Sequence, residues 1–583
     1  MVNGELRGRT QAAGCEELSV SGSTLGCVTA TEQPAPSRAG GVALDARDLT
    51  RCRRRIHLDH DPDAVGLPQA LPDPAFEQRR EDAARHRADI AAVIRRETGC
   101  FVVPADADAE RATAAAVAEG AALIWGALLP AARGTRRAPV ELLVRVPEGG
   151  YVPVVVVRHR ITDPGEGAVT SSPARPWPAA AAVDPARRVR SHPRDLLRLA
   201  HLHRLRRAAG WAPERAAPHG GWGGVIGFDA DVVVWHDLWS GHWPGGKSTF
   251  AEYDDRVADR MAVATAAAER APALAQPSRI TECRHCPWWP TCEAVLTSRQ
   301  DVSLVVRGEV AAGLREARIF TVDDLARQDP AGGLPVPGVP VADTIALARA
   351  WQRHLPVVRR VPRVPVLRAD VEVDVDMESF GESGAYLWGA LLDYPGGRRP
   401  EDPAPGYHAF ATWDPLPTFD EARSFAEFWD WLSGVRARAA ASGRSFAAYC
   451  YNAHAENRWL LGSAQRFGGR PGVPTVAEVE EFIGDPAWVD IYAVVDEWFL
   501  CAHGKGLKRI APAAGFAWRD PEAGGENSMR WYRDAVGLDG APPDLSQRQR
   551  LLEYNADDVA ATHALRMWMT SPAIDEVPLA ADL

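Results

Sequence analysis

The run Val371-Glu-Val-Asp374-Val-Asp376-Met-Glu378-Ser379 constrains the chain more than any other stretch. Apolar and acidic side chains alternate along it, and successive side chains of a strand point to opposite faces of a sheet. Asp376 and Glu378 are two apart, so both leave by one face, and Asp374 has the same parity and is expected to join them. Carboxylates crowded on a core strand are costly unless a cation neutralises them. The next run, 385–393, is apolar and supplies a hairpin partner.

Further acids follow in separate segments. The strand-like run 445–451 leads into a helix that carries Glu456, which places that carboxylate at the strand's C-terminal edge. Trp488-Val-Asp490 adds Asp490, and 551–562 is helical, with Tyr554 and Asp558 one turn apart on a shared face. Hard divalent cations prefer oxygen ligands of this kind, and two such ions about 4 Å apart can clamp a phosphodiester for hydrolysis.

The order Asp376-x-Glu378, then Asn452-x3-Glu456, then Tyr554-x3-Asp558 resembles the DEDD exonucleases of the Tyr subtype, and in particular the YprB-like RNase H group. The resemblance covers residues 366–570. It implies an RNase H-like α/β domain, with Asp376, Glu378, Glu456 and Asp558 as ligands of Mg²⁺ or Mn²⁺ and Tyr554 positioning the attacking water. Glu456 departs from the family's usual Asp. Lys508, in Leu507-Lys508, resembles the family's segment before a short helix and is expected to contact a phosphate.

A second cluster lies upstream. Cys283, Cys286 and Cys292 are spaced C-x2-C-x5-C, and three thiolates that close converge on one metal or cluster. The fourth ligand comes from Cys52 or, alternatively, Cys100. Spacing alone leaves structural zinc and iron–sulfur both open. A distant Cys52 followed by basic residues, then C-x2-C-x5-C, resembles the iron–sulfur RecB-like nucleases over residues 44–295. That resemblance implies a [4Fe–4S] cluster, with Zn²⁺ as the alternative, on Cys52, Cys283, Cys286 and Cys292. The cluster would staple the ends of a restriction-endonuclease-type α/β fold.

The RecB-like catalytic motif is incomplete. His86 fits its helix-borne His and Glu141 its first strand acid. In Tyr151-Val-Pro-Val-Val-Val-Val-Arg158, however, Val155 or Val156 stands where the next acid belongs, and Arg158 stands for the Lys. Arginine stays protonated and cannot act as a base. Lysine occurs only at 247, 505 and 508. This region is therefore expected to bind DNA rather than cut it, through phosphate contacts from Arg158, Arg160, Arg198 and Arg204. The valine run also fits a buried central strand.

The rest of the chain sets the organisation. Residues 1–40 lack periodicity and are expected to be disordered, with Cys15 and Cys27 as free thiols. Helices are predicted at 74–96, 111–120, 193–210 and 253–270, and hairpins at 140–158 and 223–238, the latter turning at 229–231. Residues 301–328 predict two short helices around Ala312-Gly313, which resemble a degenerate helix–hairpin–helix; a plain packing pair is the competing reading. A Gly/Pro-rich linker follows at 331–340. The predicted class is mixed α/β in four parts: a disordered extension (1–40), a RecB-like domain (41–298), a helical hairpin connector (299–365) and an RNase H-like domain (366–583).

A net charge of −11 argues against coating nucleic acid by bulk charge. No run of about 18 apolar residues spans a membrane. No signal peptide is visible, and nine cysteines without one point to a cytoplasmic chain. The expected activity is 3′→5′ exonucleolysis of single-stranded DNA or strand ends, or of RNA, in repair or recombination. Alternatives are a nuclease acting through the RecB-like site and a catalytically degenerate nucleic-acid-binding scaffold. The sequence has no P-loop, so unwinding would need a separate helicase.

Overall fold

The computed structural model describes residues 41–71, 74–334, 336–538 and 540–583. The expectations for residues 1–40, including Cys15 and Cys27, lie outside the described residues. The chain is mixed α/β and is built on two main sheets.

The first sheet is centred on the valine run. All six residues of Tyr151–Val156 are buried. The strand pairs antiparallel with Ala138–Arg145 and parallel with Trp222–Ile226, as the central-strand reading requires. Gly149 and Gly150 close the first hairpin at φ 88° and 75°, values that L side chains rarely adopt. The parallel crossover is the helix Pro193–Ala208. One sheet face, with Leu142, Val144, Val152 and Val154, packs under Ile90 and Ile94 of the helix Pro74–Thr98. The other, with Leu143 and Val155, packs under Leu196, Leu199 and Leu202 of the crossover helix.

Leu123–Leu129, Ala168–Ser171 and the edge strands Phe101–Val102 and Ala182–Asp184, with Val233–Asp237 of the second hairpin, extend the sheet to eight strands. The sequence reading had not identified the first four of these. The other predicted helices occur as Ala109–Ala118 and Thr249–Ala268.

The connector differs from expectation in one detail. Ala312 and Gly313 lie inside the helix Gly308–Glu316 rather than between two helices. A Cβ at Gly313 would press on the Val336 side chain, so this glycine serves packing. The reversal comes later, at Arg318 with φ 67°, before the helix Val322–Ala326. With Val341–Gln352 these helices share a core around Leu314, Val322, Leu325 and Ile345.

The second sheet runs Gly406–Ala411, Ala385–Asp393, Val371–Ser379, Phe446–Cys450, Trp488–Asp490. The first three strands are antiparallel and the last two join in parallel. The alternation in 371–379 sets its two faces. Val371, Val373, Val375 and Met377 pack against Phe425, Phe428 and Leu432 of the helix Glu421–Ala441. The acidic side chains turn the other way, towards the helix Leu545–Met569. Among the described residues, no helix is long and apolar enough to cross a membrane.

Candidate metal centre

Strand Val371–Ser379 presents Glu372, Asp374, Asp376 and Glu378 to the helix Leu545–Met569, and the two ends of that helix treat them differently. Towards its C-terminus, the fully buried Arg566 donates to both oxygens of Asp374 at 2.8 and 2.7 Å and also to Glu372. His563 Nδ1 lies 3.1 Å from Asp374. Arg368 forks onto Glu372 at 2.7 and 3.0 Å. Burial raises the Glu372 carboxyl, but the Arg368 hydrogen bonds and the Arg566 charge outweigh it and hold that carboxyl down at about 2. The expectation that Asp374 joins the metal ligands is corrected: arginine already occupies both of its oxygens.

Further along, no arginine among the described residues pairs with Asp376, Glu378 or Asp558. Asp376, Glu378 and Asp558 bring ligand oxygens within 4.8 Å of one another. Burial pushes all three carboxyls up. Repulsion from Asp558, Glu378 and Glu456 pushes Asp376 further, and burial with the Asp558 charge takes Glu378 to about 8. The nearest cation is Lys508, whose Nζ lies 3.5 Å from Asp558 and donates to the Tyr554 hydroxyl at 2.8 Å. One ammonium facing three crowded carboxylates leaves a net negative, oxygen-lined site, which is the donor set hard divalent cations select.

Each of the three acids also has a neutral donor that fixes its rotamer. Asn555 Nδ2 donates to Asp376 at 2.7 Å, and Tyr407 in turn donates to Asn555 Oδ1 at 2.7 Å. Ser528 Oγ donates to Glu378 at 3.2 Å. The Trp518 indole N–H donates to Asp558 at 2.5 Å. Gly389 faces Asp376 across the hairpin, and a Cβ there would collide with Asn555 Oδ1. Supports of this kind orient metal ligands and tune their basicity.

Glu456 stands beside this group rather than within it. It sits in the first turn of the helix His454–Phe467, is 3% exposed, and its Oε2 has no hydrogen-bond partner. Burial pushes its carboxyl up to about 8, with Asp490 adding repulsion. An orphaned buried carboxylate oxygen next to the three acids fits a cation position. Asp490 has a different task. It accepts from the backbone N–H groups of Asn452, Ala453 and Tyr492 at 2.9, 3.1 and 2.9 Å. That holds the turn through Asn452, at φ 71°, which launches the Glu456 helix.

The raised carboxyls give a signed expectation for stability. Glu378 and Glu456 have an ordinary value of 4.5 and reach about 8 when folded. Their contribution is complete below about 4.5 and is lost as pH rises through about 8. Metal-free protein is therefore expected to melt at progressively lower temperature across that window. Mn²⁺ binds the ionised carboxylates, so its stabilising effect grows with pH and reaches about 2.7 kcal/mol at a hundredfold excess over Kd. Thermal melts at the two ends of the window, with and without Mn²⁺, check both signs.

The four predicted cysteines also meet. Cys52, Cys283, Cys286 and Cys292 line one pocket with Arg54, Glu282, Trp288 and Trp289, and all four are free thiols. Cys52 N–H donates to Glu282 at 2.7 Å, which ties the two ends of the chain segment together. Cys100 is elsewhere: it packs beside the Ile90 and Ile94 cluster and donates to the Phe101 carbonyl. Of the two candidates for the fourth sulfur, only Cys52 is present at the site.

His86 and Glu141 do not form a site. They lie on helices and strands that serve opposite sheet faces, and Arg198 forks onto Glu141 at 2.9 Å to both oxygens. His86 Nε2 instead meets the Gly227 carbonyl at 3.1 Å. The arginines expected at phosphates are in ion pairs: Arg158 with Asp82 at 3.1 Å, Arg160 with Glu382 at 3.7 Å and Arg204 with Asp254.

The sequence reading missed Asn555, Trp518, Ser528 and Arg566. Asn555 had a signal, since it precedes Asp558 by three residues on one helix face. Arg566 lies two turns beyond Asp558 on the same helix, past the stretch read as helical, and Trp518 and Ser528 come from segments with no local pattern.

A family model of the RNase H superfamily matches residues 474–570, the segment that holds Asp490, Lys508, Trp518, Tyr554 and Asp558. No curated protein and no solved structure matches the chain. The protein carries an RNase H-like domain towards its C-terminus, a nuclease-type fold.

Proposed function

We propose that this protein is a metal-dependent exonuclease that degrades single-stranded DNA from its 3′ end, with RNA as the second substrate class, and that catalysis resides in residues 366–583. The observation that carries this reading is the convergence of Asp376, Glu378 and Asp558 on one point, with arginine sequestering their strand neighbours and not them.

Asp376, Glu378 and Asp558 would hold Mg²⁺ or Mn²⁺, with Glu456 Oε2 as the additional donor. Such ions supply an activated water and charge stabilisation at the leaving oxygen. The remaining steps belong to the chain. Burial and the surrounding acids push the Tyr554 phenol far above its ordinary value, so it stays protonated. It therefore acts as a hydrogen-bonding positioner of water, not as a base. Lys508 fixes the Tyr554 hydroxyl and would offer its ammonium to an incoming phosphate.

Residues 41–298 are assigned as a degenerate RecB-like domain and 299–365 as its helix–hairpin–helix-like connector. Support comes from the antiparallel meander 123–129, 138–145 and 151–156, the crossover helix and the parallel strand 222–226. The missing lysine and the Arg198–Glu141 pair support a loss of cutting there. The four-cysteine pocket fits a four-thiolate site, and a [4Fe–4S] cluster is the favoured occupant, with Zn²⁺ the alternative. Anaerobically purified protein is expected to be brown with broad visible absorbance that bleaches on reduction; a colourless protein carrying stoichiometric zinc would reverse that assignment. The proposed setting is DNA repair or recombination, with a separate helicase as partner.

The test uses single-stranded DNA labelled at either end, with Mn²⁺. The 3′ label is expected to leave at once as mononucleotide, while the 5′-labelled strand shortens as a ladder. Intact DNA and RNA in every condition would favour the scaffold reading instead.

A further inference from the structure

Two residues near the end of the valine run, Arg160 beyond it and Asp82 paired with Arg158, make contacts with the second sheet's unit, close to its metal centre. Arg158, in the lysine position after the valine run, lies 3.1 Å from Asp82. Asp82 is on the helix Pro74–Thr98, one turn before His86, and also accepts from Arg533 at 3.1 Å. Asp82 and Arg533 are 8% and 6% exposed. Arg533 belongs to the helix Gly525–Val536, which touches the metal centre twice: Ser528 donates to Glu378, and the Trp531 ring meets Tyr554 edge-on at 5.7 Å.

A second bridge lies nearby. Arg160 reaches Glu382, in the turn that follows the Asp376–Glu378 strand. Arg458, two residues beyond Glu456, pairs with the same Glu382, and Arg466 donates to the Ser383 carbonyl at 3.0 Å. Arg160 from the strand end and Asp82 from the His86 helix thus reach the two segments that frame Glu378, Tyr554 and Glu456, with Arg158 bracing Asp82.

A buried charge cluster such as Asp82 with Arg85, Arg158 and Arg533 adds little net stability, because desolvation offsets its attraction; its attested use is to fix one geometry. We propose that the N-terminal α/β unit positions the metal centre of the C-terminal unit, with Asp82 and Arg160 as positioning residues acting through the 525–536 helix and the 380–384 turn. The region that lost its own catalytic groups holds those of the other sheet. This inference rests on the exonuclease reading and deepens it.

The test measures Mn²⁺ binding to the full chain without nucleic acid, by calorimetry, together with kcat and KM on 3′-labelled single-stranded DNA. Three variants are compared with wild type. Asp82→Asn breaks the buried bridge. Arg160→Ala breaks the more exposed one, with less risk to folding. Val263→Ala truncates the first sheet's core away from the boundary and serves as a stability control. Disturbing residues that orient metal ligands typically weakens metal binding or activity by about ten- to a hundredfold. Asp82→Asn and Arg160→Ala are expected to weaken Mn²⁺ binding by about tenfold and to lower kcat with KM little changed, whereas Val263→Ala lowers the melting temperature alone. Wild-type Mn²⁺ affinity and kcat in both bridge variants would overturn the positioning role and leave the exonuclease reading intact. A wild-type chain that neither binds Mn²⁺ nor degrades DNA would overturn the exonuclease reading itself.

Discussion

Asp376→Asn is expected to raise the melting temperature of the metal-free protein while abolishing nuclease activity. Asp376 is buried among acids, and desolvation with the charges of Asp558, Glu378 and Glu456 pushes its carboxyl well up. Asparagine keeps the shape and still offers a carbonyl to the Asn555 amide, but removes a charge that the protein leaves uncompensated. Each kcal/mol of relief raises the melting temperature by about 2–4 °C in a unit of this size. The same change removes an anionic ligand oxygen. Losing one group that stabilises developing charge costs roughly a hundred- to a thousandfold in rate, so residual cleavage should fall to background. The Mn²⁺-induced rise in melting temperature should vanish with it. A melt with and without Mn²⁺, paired with a degradation assay, reads all three. A variant that melts lower than wild type without metal would mean that the cluster is held by protein contacts alone.

Arg566→Ala is the opposite case, and it concerns Asp374, two residues along the same strand from Asp376. Arg566, Asp374 and Glu372 are fully buried, and the guanidinium carries both oxygens of Asp374. Truncation leaves Asp374 with His563, and Glu372 with Arg368, the Tyr449 hydroxyl and the Ala369 N–H, while both carboxylates stay buried. Breaking a buried pair from one side costs about 3–5 kcal/mol. The midpoint of urea unfolding should fall accordingly, and the folded fraction should still bind Mn²⁺, because Asp376 and Glu378 are untouched. A midpoint like that of wild type would show that the ion pair does not hold the strand to the helix. Four acids on one strand face therefore divide by their partners: two are structural because arginine neutralises them, and two remain for a metal.

That division was not legible in the sequence. The alternation in 371–379 showed that the acids share a face, and it could not show that Arg566, nearly two hundred positions away, takes Asp374. The motif spacing located Asp376, Glu378 and Asp558, because strand and helix periodicities are local. It also singled out Glu456, which the fold places on a helix start beside the group of three rather than in it. The cysteine spacing singled out three sulfurs and the resemblance favoured Cys52 over Cys100; in the folded chain Cys52 lines the pocket of the other three and Cys100 does not.

Strands were missed where the local signal was mixed. Leu123–Leu129 is interrupted by Gly126 at φ 71°, which breaks the two-residue period. Gly406–Ala411 is a half-exposed edge strand without apolar alternation. The valine run shows the reverse: its missing acid and lysine were plain in the sequence, but the pairing of Arg160 with Glu382 and of Asp82 with Arg533 depends on how the two sheets' units meet.

The most direct test of the central claim compares Asp376→Asn with Glu141→Ala on 3′-labelled single-stranded DNA in Mn²⁺. The expected result is loss of mononucleotide release in Asp376→Asn and full release in Glu141→Ala. Release retained in Asp376→Asn and lost in Glu141→Ala would contradict the account and move catalysis to the N-terminal sheet.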